Sequence, residues 1–336
     1  YKSIFLISIS FLFSYDNKFS YDVNSNVEKI NLSHSPDLVE ISGGYTRLTR
    51  MGEGHLTEIG KPELPTYTTY YQLDPQKTYE FELEVLETEV IENINILPHQ
   101  GMEKWEVDAV SIVDEDLYSS HEVFPSQNMI VSDRSQGRGI EFLSIQVIPY
   151  KYYPKYNRLE VFTSIDIHVI ETGENLNHTL NQPKRSHIFD AFYKDLIVNF
   201  TSSDRVEDYQ ASSILYIAGG SALNNSYVQE LLHWRHKQGY IVYAVSESEV
   251  GGSSASTSEL KNYIQNAYFN WENPPEIVGL IGDTGGSYSL PENDHQWGGY
   301  YGPTDFEYTQ LDGGDLIPEV FIGRISGSSS SDFDNI

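Results

Sequence analysis

Between residues 39 and 170, apolar and polar positions alternate with period two. Tyr79, Phe81, Leu83 and Val85 interleave with Glu80, Glu82 and Glu84, so an extended chain shows one apolar and one charged face. Leu159, Val161, Ile165, Ile167 and Val169 repeat the pattern against Glu160, Ser164, Asp166 and His168. Residues 140–149 are a further strand candidate. Gly43-Gly44, Pro62, Asp74-Pro75, Gly137 and Gly139 supply turn signals between the runs. Strands without intervening helices predict an antiparallel sandwich or barrel-like domain. No repeat of fixed period is present.

Residues 171–212 change character. Polar segments flank a short amphipathic run, 188–198, in which Phe189, Phe192, Leu196 and Tyr193 recur at helical spacing. This reads as a linker bearing one docking helix. From residue 214 the period switches again. Short apolar runs at 214–218, 241–245 and 277–281 predict strands. Between them lie helices at 226–239, with Val228, Leu231, Leu232 and Arg235 on one face, and after Ser256. Ser256 and Glu259 have the spacing of a capping box. Alternation of strand and helix with crossovers of this length implies a right-handed parallel sheet.

Composition narrows the partners. Among 336 residues, 49 acidic and 21 basic side chains leave a net charge of −28, which argues against nucleic acid or an anionic membrane surface. The chain has no cysteine, hence no disulfide and no thiol nucleophile of its own. Lys2 followed by about ten apolar residues reads as a secretory signal, too short to span a bilayer. The last residues read as a helix cap cut short, so a longer protein is expected.

The candidate chemistry is acidic. The run 277–281 opens onto Asp283, and Asp312-Gly313-Gly314-Asp315 followed by Glu319 offers carboxylates in a bent loop. A hard cation takes six to eight such oxygens; a solvated acidic loop fits the same residues. Gly219-Gly220-Ser221 lacks the closing glycine of a nucleophile elbow and the spacing and lysine of a phosphate loop, so it reads as an ordinary strand-to-helix turn. His233 and His236 lack a third metal ligand, and His168 and His295 lack an identifiable carboxylate or serine partner.

Gly60-Lys61-Pro62-Glu63-Leu64-Pro65, Leu73-Asp74-Pro75 and the 79–85 strand resemble the propeptide of gingipain-type cysteine peptidases. Residues 188–199 resemble its end. The region from Ile214 onward, with Leu280-Ile281-Gly282-Asp283 and Glu319-Val320-Phe321-Ile322-Gly323-Arg324 in it, is similar to the first half of the catalytic domain's N-terminal α/β subdomain. The resemblance implies a structural calcium held by Asp283, Asp315 and Glu319, with main-chain carbonyls near Asp312 and Ile317. It also implies that the catalytic His and Cys lie past residue 336.

These readings give a β-rich antiparallel prodomain followed by an α/β caspase-like domain with a parallel sheet, truncated at its C-terminal end. The expected divisions are a signal over 1–20, a propeptide over 21–175, a linker with docking helix over 176–213, and the start of the catalytic domain over 214–336. The expected function is the N-terminal part of a secreted or cell-surface cysteine endopeptidase zymogen acting on proteins or peptides. Its own propeptide would be the inhibitor, there would be no transmembrane segment, and processing would fall at Arg185 or Arg205. Two alternatives remain: a transpeptidase or signal-removing enzyme of a secretion system, and a non-enzymatic, calcium-stabilised adhesive protein.

Overall fold

A computed structural model describes residues 19–24, 27–41, 43–49, 54–101, 110, 112–177, 184–252, 254–297, 300–312 and 317–335. The signal reading falls at 1–20, almost wholly outside these residues, and Asp315 also lies outside them. Among the described residues no helix is long and apolar enough to cross a membrane.

The N-terminal half is built of β-strands, as its period-two pattern requires. One five-stranded sheet runs Phe19–Asn24, Val27–Ser33, Arg158–Glu174, Tyr150–Tyr153, with Lys77–Glu92 also paired to Arg158–Glu174. Leu159, Val161, Ile165, Ile167 and Val169 are buried while Glu160, Ser164, Asp166 and His168 stay partly exposed. A second sheet runs Gly54–His55, Pro65–Leu73, Ile140–Val147, Met129–Val131, with Ser135–Gly137 folded back on Ile140–Val147. Gly43 and Gly44 turn the Asp37–Ile41/Tyr45–Thr49 hairpin with φ of +86° and +78°, a region that glycine enters without a Cβ penalty.

The C-terminal half holds a four-stranded parallel sheet in the order Ile241–Ser246, Ser213–Ala218, Ile277–Ile281, Phe321–Ile325. Helices Ser226–Lys237 and Thr257–Asn270 make the first two crossovers. Val228, with Leu231 and Leu232 partly buried, packs with Ile214, Tyr216 and Ile281. Leu260, Ile264, Ala267 and Tyr268 pack with Leu215, Ile217, Val278 and Leu280. The two helices thus cover different sets of strand residues, and Ser213–Ala218 is buried at every position. The Ser256–Glu259 capping box forms as spaced.

The chain divides into two compact units: residues 1–68, 80–130 and 146–170, and residues 69–79, 131–145 and 171–336. The second unit therefore contains the parallel sheet together with two excursions from the β-rich half. Its helix His187–Leu196 turns Phe189 and Tyr193 inward, while Phe192 remains 40% exposed. The spacing offered both Phe192 and Tyr193. Tyr193 is the one buried, between Phe142 and Phe189, in a cluster with Ile140 and Ile197.

Candidate functional site

The carboxyl end of the parallel sheet is where ligands of open α/β sheets bind. In the described residues it is closed over by the loop that follows Ile281. The Leu290 amide donates to the Asp283 carbonyl at 2.7 Å, and the Ser287 amide to the Ser328 carbonyl at 2.9 Å. A Cβ on Gly220 would lie 2.1 Å from the Ser287 carbonyl oxygen, so this turn is glycine because another main chain crosses it. Arg324 ties the same region together. Its guanidinium donates to both Asp305 oxygens at 2.9 and 2.7 Å, and to the carbonyls of Leu290 and Pro291 at 3.1 and 2.9 Å.

Register separates the acidic residues expected to share a calcium. Ile277 pairs with Phe321 and Ile281 with Ile325, in parallel. Asp283 follows the carboxyl end of one strand, whereas Glu319 precedes the amino end of its neighbour. Four residue intervals of sheet, ~13 Å at ~3.3 Å each, lie between their ends. Oxygens on one calcium lie within about 5 Å of each other, twice the ~2.5 Å bond. Asp283 and Glu319 therefore do not share one ion, which corrects the expectation that both belong to a single site. Asp312 and Glu319 do come together, the Asp312 amide donating to Glu319 Oε2 at 3.1 Å.

Asp283, Ile317 and Glu319 make other contacts. Asp283 Oδ1 accepts from the Thr284 amide at 2.8 Å. Glu319 is fully buried, and its Oε2 accepts from the amides of Leu311 and Asp312. Ile317 packs, partly buried, against the cluster that contains Phe189 and Tyr193. The histidines need correcting too. His168 Nε2 lies 2.7 Å from Glu84, and His295 Nδ1 lies 3.4 Å from Glu307, so both do face a carboxylate.

Two other groups bring metal-ligating atoms within 4.8 Å of each other: His55, Glu63 and His99, and Glu84, Asp166 and His168. Each already contains a cation. Arg47 Nε lies 3.0 Å from Glu63, and Lys29 Nζ lies 2.9 Å from Asp166. They are ionic networks in which a side chain supplies the positive charge.

The second unit also holds a fully buried arginine, Arg138, which no sequence motif marks. It stands at the tip of the two-residue turn that pairs Gly137 with Ile140, made possible by Gly139 at φ +72°. The side chain is completely buried. Nε donates to the Glu319 carbonyl at 2.8 Å, Nη1 to Gln210 Oε1 at 2.9 Å, and Nη2 to the Pro275 carbonyl. Phe189 and Tyr268 present ring faces 5.3 and 5.2 Å from the guanidinium carbon. Glu276 and Glu319, both fully buried, add negative field. Burial pulls the guanidinium pKa down, and Tyr268, Glu276, Tyr193 and Glu319 oppose that shift. Gln210, Pro275 and Glu319 each lie just before a strand of the parallel sheet, so Arg138 sits on its amino edge.

The two expected processing residues have opposite surroundings. Arg185 is 13% exposed, with Asp190 at 3.1 Å and the Thr201 carbonyl at 2.9 Å, and its main chain pairs across Asp208 and Gln210. The Arg205 side chain is 69% exposed and, among the described residues, pairs with the neighbouring acids Glu207 and Asp208.

A β-rich segment followed in sequence by a parallel α/β layer defines a two-part protein. Comparison with known proteins says which. The family model described as Propeptide_C25 matches residues 28–204, more than half of the chain, and Peptidase family C25 matches residues 207–336. Gingipain R1 of Porphyromonas gingivalis is 26% identical over 304 residues, covering 88% of this chain and 29% of the relative. Lys-gingipain of the same organism is 24% identical over 336 residues, covering 94% and 18%. A solved complex of P. gingivalis RgpB pro- and mature domains matches with TM-score 0.45 and 19% identity, over 55% of this chain and 98% of that one. The chain belongs to the C25 peptidase family, as a gingipain-type precursor: propeptide, then peptidase region. It spans under a third of the gingipain R1 and Lys-gingipain sequences cited.

Proposed function

We propose that this chain is the N-terminal part of a secreted or surface cysteine endopeptidase zymogen, whose propeptide keeps the peptidase latent. The observation that carries this reading is the tandem of propeptide and peptidase matches over 28–204 and 207–336. A Cys thiolate activated by a His would attack the peptide carbonyl, with main-chain amides holding the oxyanion. The chain contains no cysteine, so the nucleophile belongs to sequence beyond it. What these residues contribute is the parallel layer and the propeptide segment whose Arg138 turn reaches its amino edge. No step is routed through calcium, since Asp283 and Glu319 stand at opposite ends of the sheet.

Maturation is assigned to Arg205. It is the exposed one of the two candidates and stands between the propeptide and peptidase matches. Arg185 is held by Asp190, Thr201 and the rings of Phe200 and Tyr209, which supports a structural part for it. The test of function is peptide hydrolysis by the full-length protein before and after maturation. Activity that appears on maturation and is abolished by thiol alkylation is expected; hydrolysis insensitive to alkylation would refute the cysteine mechanism.

A further inference from the structure

Arg138 belongs to the propeptide match, and its three hydrogen-bond acceptors, on Gln210, Pro275 and Glu319, all belong to the peptidase match. A guanidinium removed wholly from water is stable only where its donors and charge are met. Here three acceptors, two aromatic faces and two buried carboxylates meet them. The acceptors are main-chain carbonyls and a neutral amide, fixed by the strands they precede. Gln210 is itself held, donating to the Pro274 carbonyl at 2.7 Å. The acceptors of the cradle are therefore in place before the arginine arrives, while the Phe189 ring belongs to the propeptide match with Arg138 itself. A residue at a tight turn, flanked by glycines and buried at its centre, has the character of an interface anchor.

We propose that Arg138 is the anchor by which the propeptide docks on the peptidase region, at a guanidinium-binding cradle on the amino edge of the parallel sheet. This contact lies at the opposite edge from the carboxyl ends, where α/β sheets hold their ligands. Docking and occlusion of the catalytic centre are thus carried by different residues. Cutting at Arg205 breaks the chain but leaves the Arg138 cradle intact, so the propeptide stays bound until the guanidinium is withdrawn. The inference rests on the precursor reading, but its readout is affinity rather than proteolysis, so the two can fail separately.

The experiment uses this chain with a specific protease site inserted after Arg205. After cutting, the dissociation constant between the two pieces is measured by sedimentation. The unsubstituted pieces are expected to stay together. Arg138→Lys keeps the charge but loses the planar fork, and weakens association at least about 30-fold, as an interface hot spot would. Gln210→Leu, on the peptidase side, weakens it roughly tenfold or more by removing one charge-assisted bond. Circular dichroism before cutting checks the fold. Arg138→Ala is expected to separate the pieces on cutting; if it does not fold, the Arg138→Lys and Gln210→Leu variants decide. Unsubstituted pieces that separate at once, or either of these two variants binding as tightly as wild type, would overturn the proposal.

Discussion

Arg138 Nε donates to the main-chain carbonyl of Glu319 at 2.8 Å, joining residues 181 positions apart. One partner stands in a hairpin turn of the propeptide and the other in the approach to the last parallel strand. The carboxylate of the same Glu319 accepts from the amides of Leu311 and Asp312. The residue expected to bind calcium thus shapes a loop with its side chain and receives an arginine with its main chain.

Removing the guanidinium strands buried charge. Glu276 and Glu319 remain fully buried and lose the guanidinium whose field they face. Arg138→Leu is expected to cost about 3–5 kcal/mol of stability, read from the denaturant midpoint. Arg138→Leu combined with Glu276→Gln recovers part of that loss, because one uncompensated carboxylate is gone. A single variant within about 0.5 kcal/mol of wild type, the range of surface substitutions, would be incompatible with a buried charge cluster.

Asp283 and Glu319 act independently if register separates them. A double-mutant cycle with Asp283→Asn and Glu319→Gln, followed by thermal denaturation in calcium and in chelator, should give effects that add within about 0.3–0.5 kcal/mol. A larger coupling that disappears with chelator would restore the shared ion.

The capping box of helix Thr257–Asn270 is a pH-dependent element. Hydrogen bonds from the Ser256 amide and hydroxyl hold the Glu259 carboxyl below its ordinary pKa of 4.5. A lowered folded-state pKa means a contribution that is complete above the unfolded value and lost as pH falls through the folded one. The stability gap between wild type and Glu259→Gln should stay constant from pH 7 to about 5 and close below that value. A gap that widens in acid would contradict the assignment. Ser256→Ala should cost about 0.5–2 kcal/mol at neutral pH.

Exposure decides between the two linker arginines. Arg205→Gln should block maturation of the full-length precursor, whereas Arg185→Gln should mature at the same bond. End-group sequencing of the wild-type product should begin at Val206. A start elsewhere, or normal processing of Arg205→Gln, would remove Arg205 from this role.

Much of the local structure was legible in the sequence because it depends on neighbours within a turn or a strand. Period two identified the Arg158–Glu174 strand and its buried face. The apolar runs placed the first three parallel strands, and Ser256 with Glu259 marked a helix start that forms with those hydrogen bonds. Gly137 and Gly139 announced a turn. They said nothing of Arg138 between them, since an arginine in a glycine-flanked turn ordinarily points into water.

What only the tertiary structure decided was which distant groups meet. Asp283 and Glu319 both follow or precede apolar runs, and one-dimensional spacing cannot tell that parallel register sends them to opposite ends of the sheet. His168 finds Glu84 across paired strands, a neighbour set by strand pairing rather than sequence distance. Tyr193, not Phe192, enters the core because the face a short helix buries is chosen by the surface it meets. Burial of Arg138 follows the same rule. Its charge is tolerated only where carbonyls from Pro275 and Glu319, the Gln210 amide and two aromatic rings have already been assembled, and that assembly exists only once the sheet has formed.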